Sequence, residues 1–190
     1  MAHKRTNEES ATRLLGLQKN PYLRLISGGE TLTISACKGG EKASLYNAGE
    51  TFPGSFPGYI DSDCKGYGIN LPQPATKKSY VVVHEMYNKD ANFKTLFGSL
   101  SSDLKSLAFE SQEQIEKFAQ ENKQWLRTDG YGTFFLFTET VDDEEKFFVA
   151  DVRFRSGGLR VVVGHLSDGD RWYASLAHRI VVPATKSSGA

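Results

Sequence analysis

Asp61, Asp63 and Cys64 stand almost side by side, and together with His84 they are the residues whose types and spacing could do chemistry. Two carboxylates two residues apart can point at one cation or one polar ligand. Cys64, beside Lys65, with His84 as base is the outline of a cysteine nucleophile. That chemistry needs a lowered thiol pKa and hydrogen-bond reach to the base, and no known catalytic signature surrounds either residue. His84-Glu85 opens like the zinc-protease helix motif, but Asn88 stands where the second histidine must be. The chain has no Walker-type phosphate loop, no dinucleotide fingerprint and no serine nucleophile elbow. Asp168-Gly169-Asp170 lacks the spacing and terminal Glu of a calcium loop and reads as a hairpin turn. Cys37 and Cys64 are the only cysteines, and they form no Cys-x-x-Cys pair. The expectation is therefore no structural metal, no disulfide framework and no cofactor.

The acidic pair lies in an unusual stretch, residues 47–74, which holds four of the chain's six prolines. At its centre Phe52-Pro53-Gly54-Ser55 is followed by Phe56-Pro57-Gly58-Tyr59. Each Pro-Gly pair suits the middle of a type II turn, so two turns in series would hold three rings on a stiff, irregular backbone. Long irregular segments in compact domains are usually functional or disordered, and the aromatics argue against disorder. One reading makes Phe52, Phe56, Tyr59 and Tyr67 the walls of a small-molecule or peptide site, with Asp61 and Asp63 as its polar groups. The other makes the rings a plug at the end of a sheet, with the aspartates in local turn hydrogen bonds.

A third candidate is basic. Between Phe147 and Thr185 the basic residues other than histidine are all arginine: Arg153, Arg155, Arg160, Arg171 and Arg179. Arginine is the residue for bidentate contact with phosphate or carboxylate. Arg153, Arg155 and Arg160 would share one sheet face, able to meet a nucleic-acid backbone or an acidic partner. The competing reading is a solvated face with Asp151 and the acidic run 142–145 as neighbours. Net charge is zero and the pI is 6.9, which disfavours nucleic-acid binding driven by bulk charge.

The elements that must position these groups can be read from periodicity. Residues 11–19 suit a short helix that Pro21 stops. Residues 22–26 and 31–36 read as two strands of a hairpin around Ser27-Gly28. Residues 79–87 are open between helix and strand, and the β-branched Val81-Val82-Val83 favours strand. Phe93, Leu96, Phe97 and Leu100 fit one face of a short helix interrupted by Gly98. Residues 111–126 are the best helix, opened by the capping-box pair Ser111 and Gln114 and ended by Gly130. Strands follow at 133–138, 146–155, 159–166 and 178–182.

With Gly157-Gly158 as the loop between two of these strands, Arg155 faces Arg160 and Val152 faces Val163. Phe148, Val152, Phe154, Val161 and Val163 then form the core face. With Asp168-Gly169 as the next loop, His165 faces Trp172, where a histidine is more often a satisfied half-core residue than a catalyst. The expected fold is a single α+β domain over residues 21–183. It has a mainly antiparallel sheet, a meander in the C-terminal half, and two or three helices packed on one face. Residues 1–20 read as an arm or short helix and 184–190 as a flexible tail.

Hydrophobic content of 39% suits a globular chain, and no apolar run approaches the length of a membrane span. The N-terminus lacks the apolar core of a signal peptide, so the expected location is cytoplasmic, with no membrane partner. Residues 126–137, with Ile60-Asp61-Ser62-Asp63 and Phe97-Gly98-Ser99-Leu100, resemble stretches of short bacterial proteins of unassigned function. The resemblance covers the chain from about Asn47 onward, implies a bacterial or mobile-element origin, and brings no activity.

The leading expectation is a non-catalytic binding domain. It would take a small molecule or protein partner through the aromatic loop or the arginine face. One alternative is a small hydrolase using Asp61, Asp63, Cys64 or His84, and another is nucleic-acid binding through Arg153, Arg155 and Arg160. Sheet edges need cover, and a homodimer is one way to supply it.

Overall fold

A computed structural model describes residues 20–28, 32–40, 59–60, 72–141, 143–155 and 158–184. The expected helix at 11–19, the tail, and most of the aromatic loop, including Phe52, Phe56, Asp61, Asp63, Cys64 and Tyr67, lie outside the described residues.

The centre of the fold is explained by β5, Gly132–Val141. Four consecutive residues, Phe134, Phe135, Leu136 and Phe137, are all completely buried. Side chains alternate across a strand, so such a run requires cover on both faces. Strands β4 (Ser79–Met86), β6 (Glu144–Arg155), β7 (Gly158–His165) and β8 (Arg179–Pro183) flank it in the order β4-β8-β5-β6-β7. All pairings in that order are antiparallel except β8 with β5. Residues 79–86 are strand, as their β-branched content favours.

One face of the sheet, with Phe135, Phe137, Val152 and Val163, packs under α2, Gln112–Glu121. The capping box forms: the Ser111 hydroxyl accepts from Gln114 N–H, and the Gln114 side chain accepts from Ser111 N–H at 3.2 Å. Such a cap stabilises a helix by about 1 kcal/mol. Ile115, Phe118 and Ala119 are its apolar stripe. The helix stops at Glu121, earlier than expected. Asn122 N–H still reaches Phe118 O, while its side chain turns to Thr33 O at 2.9 Å. A 3-10 turn, Lys123–Trp125, follows, and Gly130, with φ 89°, serves the entry to β5.

The opposite face, with Phe134, Leu136, Val149 and Ile180, packs under α1, Phe93–Gly98, and the 3-10 turn Leu104–Leu107. Asn92 caps α1 by accepting from Thr95 N–H at 2.9 Å. The α+β class therefore holds, but the helices divide between the two faces rather than sharing one.

Pairing corrects three local expectations. Arg155 pairs with Gly158 and Arg153 with Arg160, a register two residues from the one expected. A two-residue shift preserves the faces, so the apolar and arginine sides come out as read. Strands β1 (Leu23–Leu25) and β2 (Leu32–Ile34) do not pair with each other. Both lie antiparallel against β4, one beyond the other. Between them the Ser27 hydroxyl accepts from Val83 N–H at 2.8 Å, and Val83 O receives Ile26 N–H at 2.9 Å. A side chain thus completes a ladder that the broken strand would leave open. Finally, Trp172 does not face His165. It bridges to Ala91, while Asp168 accepts from His165 N–H and closes a tight turn.

Strand β3 (Tyr59–Ile60) is the described strand of the aromatic loop. Its backbone runs parallel to β7, with Tyr59 opposite Val162.

Candidate functional site

One end of the sheet carries the described arginine side chains. The register places Arg24, Glu85, Arg179 and Thr133 in one row on the α2 face. The adjacent row, Gly132, Arg153 and Arg160, lies on the α1 face. Glu85, 8% exposed, is the hub of the first half. Arg24 Nε donates to it at 3.2 Å, and the guanidinium groups of Arg179 and Arg127 stand 3.8 and 4.0 Å away. Arg179 Nη1 also donates to Trp125 O at 2.9 Å and Leu126 O at 3.3 Å, the open carbonyl end of the 3-10 turn. Arg127 pairs with Asp129 and lies over the Tyr131 ring at 5.5 Å. These cations are held in place by intramolecular acceptors, so a partner would meet a largely neutralised surface.

On the α1 face the same end is a closed circuit of polar side chains. Arg153 donates to Asp151 Oδ2 through Nε at 2.8 Å, and its Nη2 stands 2.6 Å from the same oxygen. The guanidinium also lies 5.9 Å from the Trp172 ring. The Trp172 ring meets the His178 ring edge to face at 5.1 Å. His178 Nδ1 accepts from Gly132 N–H at 3.1 Å. Gly132 returns the circuit to Asp151: a Cβ on it would stand 2.3 Å from Asp151 Oδ1. The carboxylate thus occupies space that only glycine leaves.

Asp151 and His178 are each 3% exposed. Burial pushes the Asp151 carboxyl above its ordinary value, against the opposing pull of Arg153 and Arg160. Burial first, and the Arg153 charge second, push His178 down to about 4. His178 is therefore neutral near pH 7. Because Nδ1 is an acceptor, its proton sits on Nε2. Asp151 Oδ1, His178 Nε2 and Trp172 Nε1 are all buried and have no hydrogen-bond partner among the described residues. Native proteins leave few such atoms, and each asks for an explanation. All three belong to this circuit, two of them donors and one an acceptor. Phe134 stacks on His178 at 5.1 Å, and Tyr131, 37% exposed, meets it from the outside at 5.8 Å. Tyr131 is exposed, and Arg153 and Trp172 are half-buried.

Of the residues expected from sequence, Arg153 is brought into this circuit and Arg160 is exposed beside it. The side chain of Arg155 and the ring of Tyr59 lie outside the described residues, as do Phe52, Phe56, Asp61, Asp63 and Tyr67. His84 lines a separate groove of 310 Å³ with Val82, Leu100, Leu107 and Val182, and burial lowers its pKa to about 4. His165 packs on Phe148. Sequence reasoning passed over Gly132 and His178, and treated Asp151 only as a neighbouring charge.

Among the described residues no group of three or more His, Cys, Asp or Glu is arranged to hold a metal ion. No helix there is long and apolar enough to cross a membrane. No protein-family model matches this chain, and no curated protein and no solved structure matches it. The resemblance to short bacterial proteins finds no support in these comparisons.

Proposed function

We propose that the chain is a binding domain that takes a small polar molecule at the arginine-bearing end of its sheet, in the Asp151–Arg153–Trp172–His178 circuit. The observation that carries this reading is that three buried polar atoms of this circuit, Asp151 Oδ1, His178 Nε2 and Trp172 Nε1, have no partner among the described residues, beside a glycine whose Cβ would meet the carboxylate. An unsatisfied buried donor or acceptor costs about 1–3 kcal/mol, and a ligand group that bonds one recovers that cost. Nucleic-acid binding is less well supported. Arg153 is committed to Asp151, Arg179 to backbone carbonyls, and Arg24 and Arg171 to Glu85 and Asp90.

The test uses the two tryptophans, whose indole N–H signals are separable by NMR. Trp172 lies in the site and Trp125 packs on the opposite face. A panel of small neutral, anionic and cationic compounds, added at millimolar concentration, is expected to include one that shifts Trp172 Nε1–H saturably and leaves Trp125 in place. A panel that moves neither signal rejects the reading.

A further inference from the structure

The 310 Å³ groove shares no lining residue with that circuit. It lies on the α1 face, where β4 and β8 meet the segment from Leu100 to Leu107. The pair Val82 and Val182 belongs to the sheet side of the groove, and Leu100 and Leu107 to the other. Leu25, opposite His84, and Tyr80, two residues before Val82, extend the same sheet face. They are two of the four large apolar side chains exposed among the described residues, so exposed apolar surface gathers beside this groove.

Its polar groups are few and uncharged. No described Asp, Glu, Lys or Arg lines it. The His84 imidazole makes no hydrogen bond or ion pair with another described residue, and burial alone moves its pKa, down to about 4. Near pH 7 it is neutral, with one donor and one acceptor nitrogen. Ser101 Oγ accepts from Asp103 N–H at 3.0 Å, which leaves its proton to donate. A charged head would enter this lining without a counter-ion and lose hydration. A neutral hydroxyl or carbonyl meets an imidazole able to bond it, while its hydrocarbon meets valine and leucine. An apolar cavity of about 150 Å³ holds a benzene ring, so 310 Å³ has room for about two rings or a chain of similar bulk.

We infer that this groove is a second binding site, for a small neutral molecule with an apolar body and one hydrogen-bonding head, which His84 receives. The inference goes beyond the reading at Asp151 and stands without it.

The test titrates n-octanol, octanoate and octylammonium, one hydrocarbon with three different heads, into the full chain. NMR follows the His84 ring protons and the Leu100 and Leu107 methyls. The alcohol is expected to shift all of them saturably, and both ions to bind at least about tenfold more weakly. His84→Phe keeps a ring and removes the hydrogen bond; read at the leucine methyls, it should weaken n-octanol about tenfold. Ala184→Phe puts bulk into the groove just beyond the end of β8, where the fold has little to lose, and should abolish binding. Either ion binding as tightly as the alcohol, or n-octanol affinity unchanged in both variants, overturns the inference. So does the lack of any saturable shift at His84, an outcome that leaves the Asp151 reading standing.

Discussion

Acidification tests the electrostatics of the site through His178. Its folded pKa, about 4, lies below the ordinary 6.5, chiefly because the ring is buried. A depressed folded pKa means that stability is present above the unfolded value and is lost as pH falls from 6.5 toward 4. Protonation also puts a proton on Nδ1, which then can no longer accept from Gly132 N–H. At about pH 5 the unfolded chain is mostly protonated at this position and the folded chain is not, and the difference amounts to about 2 kcal/mol. His84 shares the same direction, and Asp151 and Glu139, raised by burial, titrate with the opposite sign. The effect of His178 must therefore be isolated by comparison. In His178→Asn the side-chain carbonyl can take over the acceptor role of Nδ1, but nothing titrates. Urea unfolding of both proteins at about pH 7.5 and about pH 5 should show a fall in stability larger in the native chain by about 2 kcal/mol. Equal falls in the two proteins would refute the assignment of His178 as a buried neutral imidazole.

Three further outcomes follow from the packing. Gly132→Ala drives a Cβ to 2.3 Å from Asp151 Oδ1 and 2.5 Å from Phe134 Cε1; it should destabilise by about 1–3 kcal/mol or more in chemical denaturation, and a neutral result would mean that the carboxylate is free to move. Glu85→Ala leaves Arg24, Arg127 and Arg179 without their common acceptor and should cost about 3 kcal/mol, whereas Arg24→Ala, at an exposed side chain, should cost under about 1 kcal/mol. Equal effects would show that Glu85 is solvated rather than a hub. Ser27→Ala strips the acceptor from Val83 N–H between β1 and β2 and should cost about 1–3 kcal/mol, with faster amide exchange at Val83 as the local signature.

The parts of this fold that were legible in the sequence depend on local signals. The capping box of α2, the β-branched run of β4 and the apolar alternation of β6 and β7 each sit within a few residues and formed as read. The hairpin register slipped by two because the apolar pattern fixes which face a residue takes, and a shift of two satisfies that pattern equally well. Cover on both faces was written in Phe134-Phe135-Leu136-Phe137, a run that single-sided packing would leave half exposed. The site was harder to see. His178 finds its acceptor role on Gly132, 46 residues away, through the parallel pairing of β8 with β5, which no local pattern announces. Asp151 did leave a trace, a lone carboxylate on the strand face it shares with buried Val149. Arg153 was noticed for its charge, yet its structural role is to hold that carboxylate. Tyr59 and Ile60 attach the Phe-Pro-Gly segment to the outer edge of β7, and its remaining site residues lie outside the described part of the chain.

The most direct measurement is a crystal structure at a resolution that shows ordered solvent. Oxygen atoms of ordered solvent or a bound molecule are expected within hydrogen-bond distance of Asp151 Oδ1, His178 Nε2 and Trp172 Nε1. The three groups found bonded to one another or to other side chains, with no such oxygen on any of them, would contradict the site.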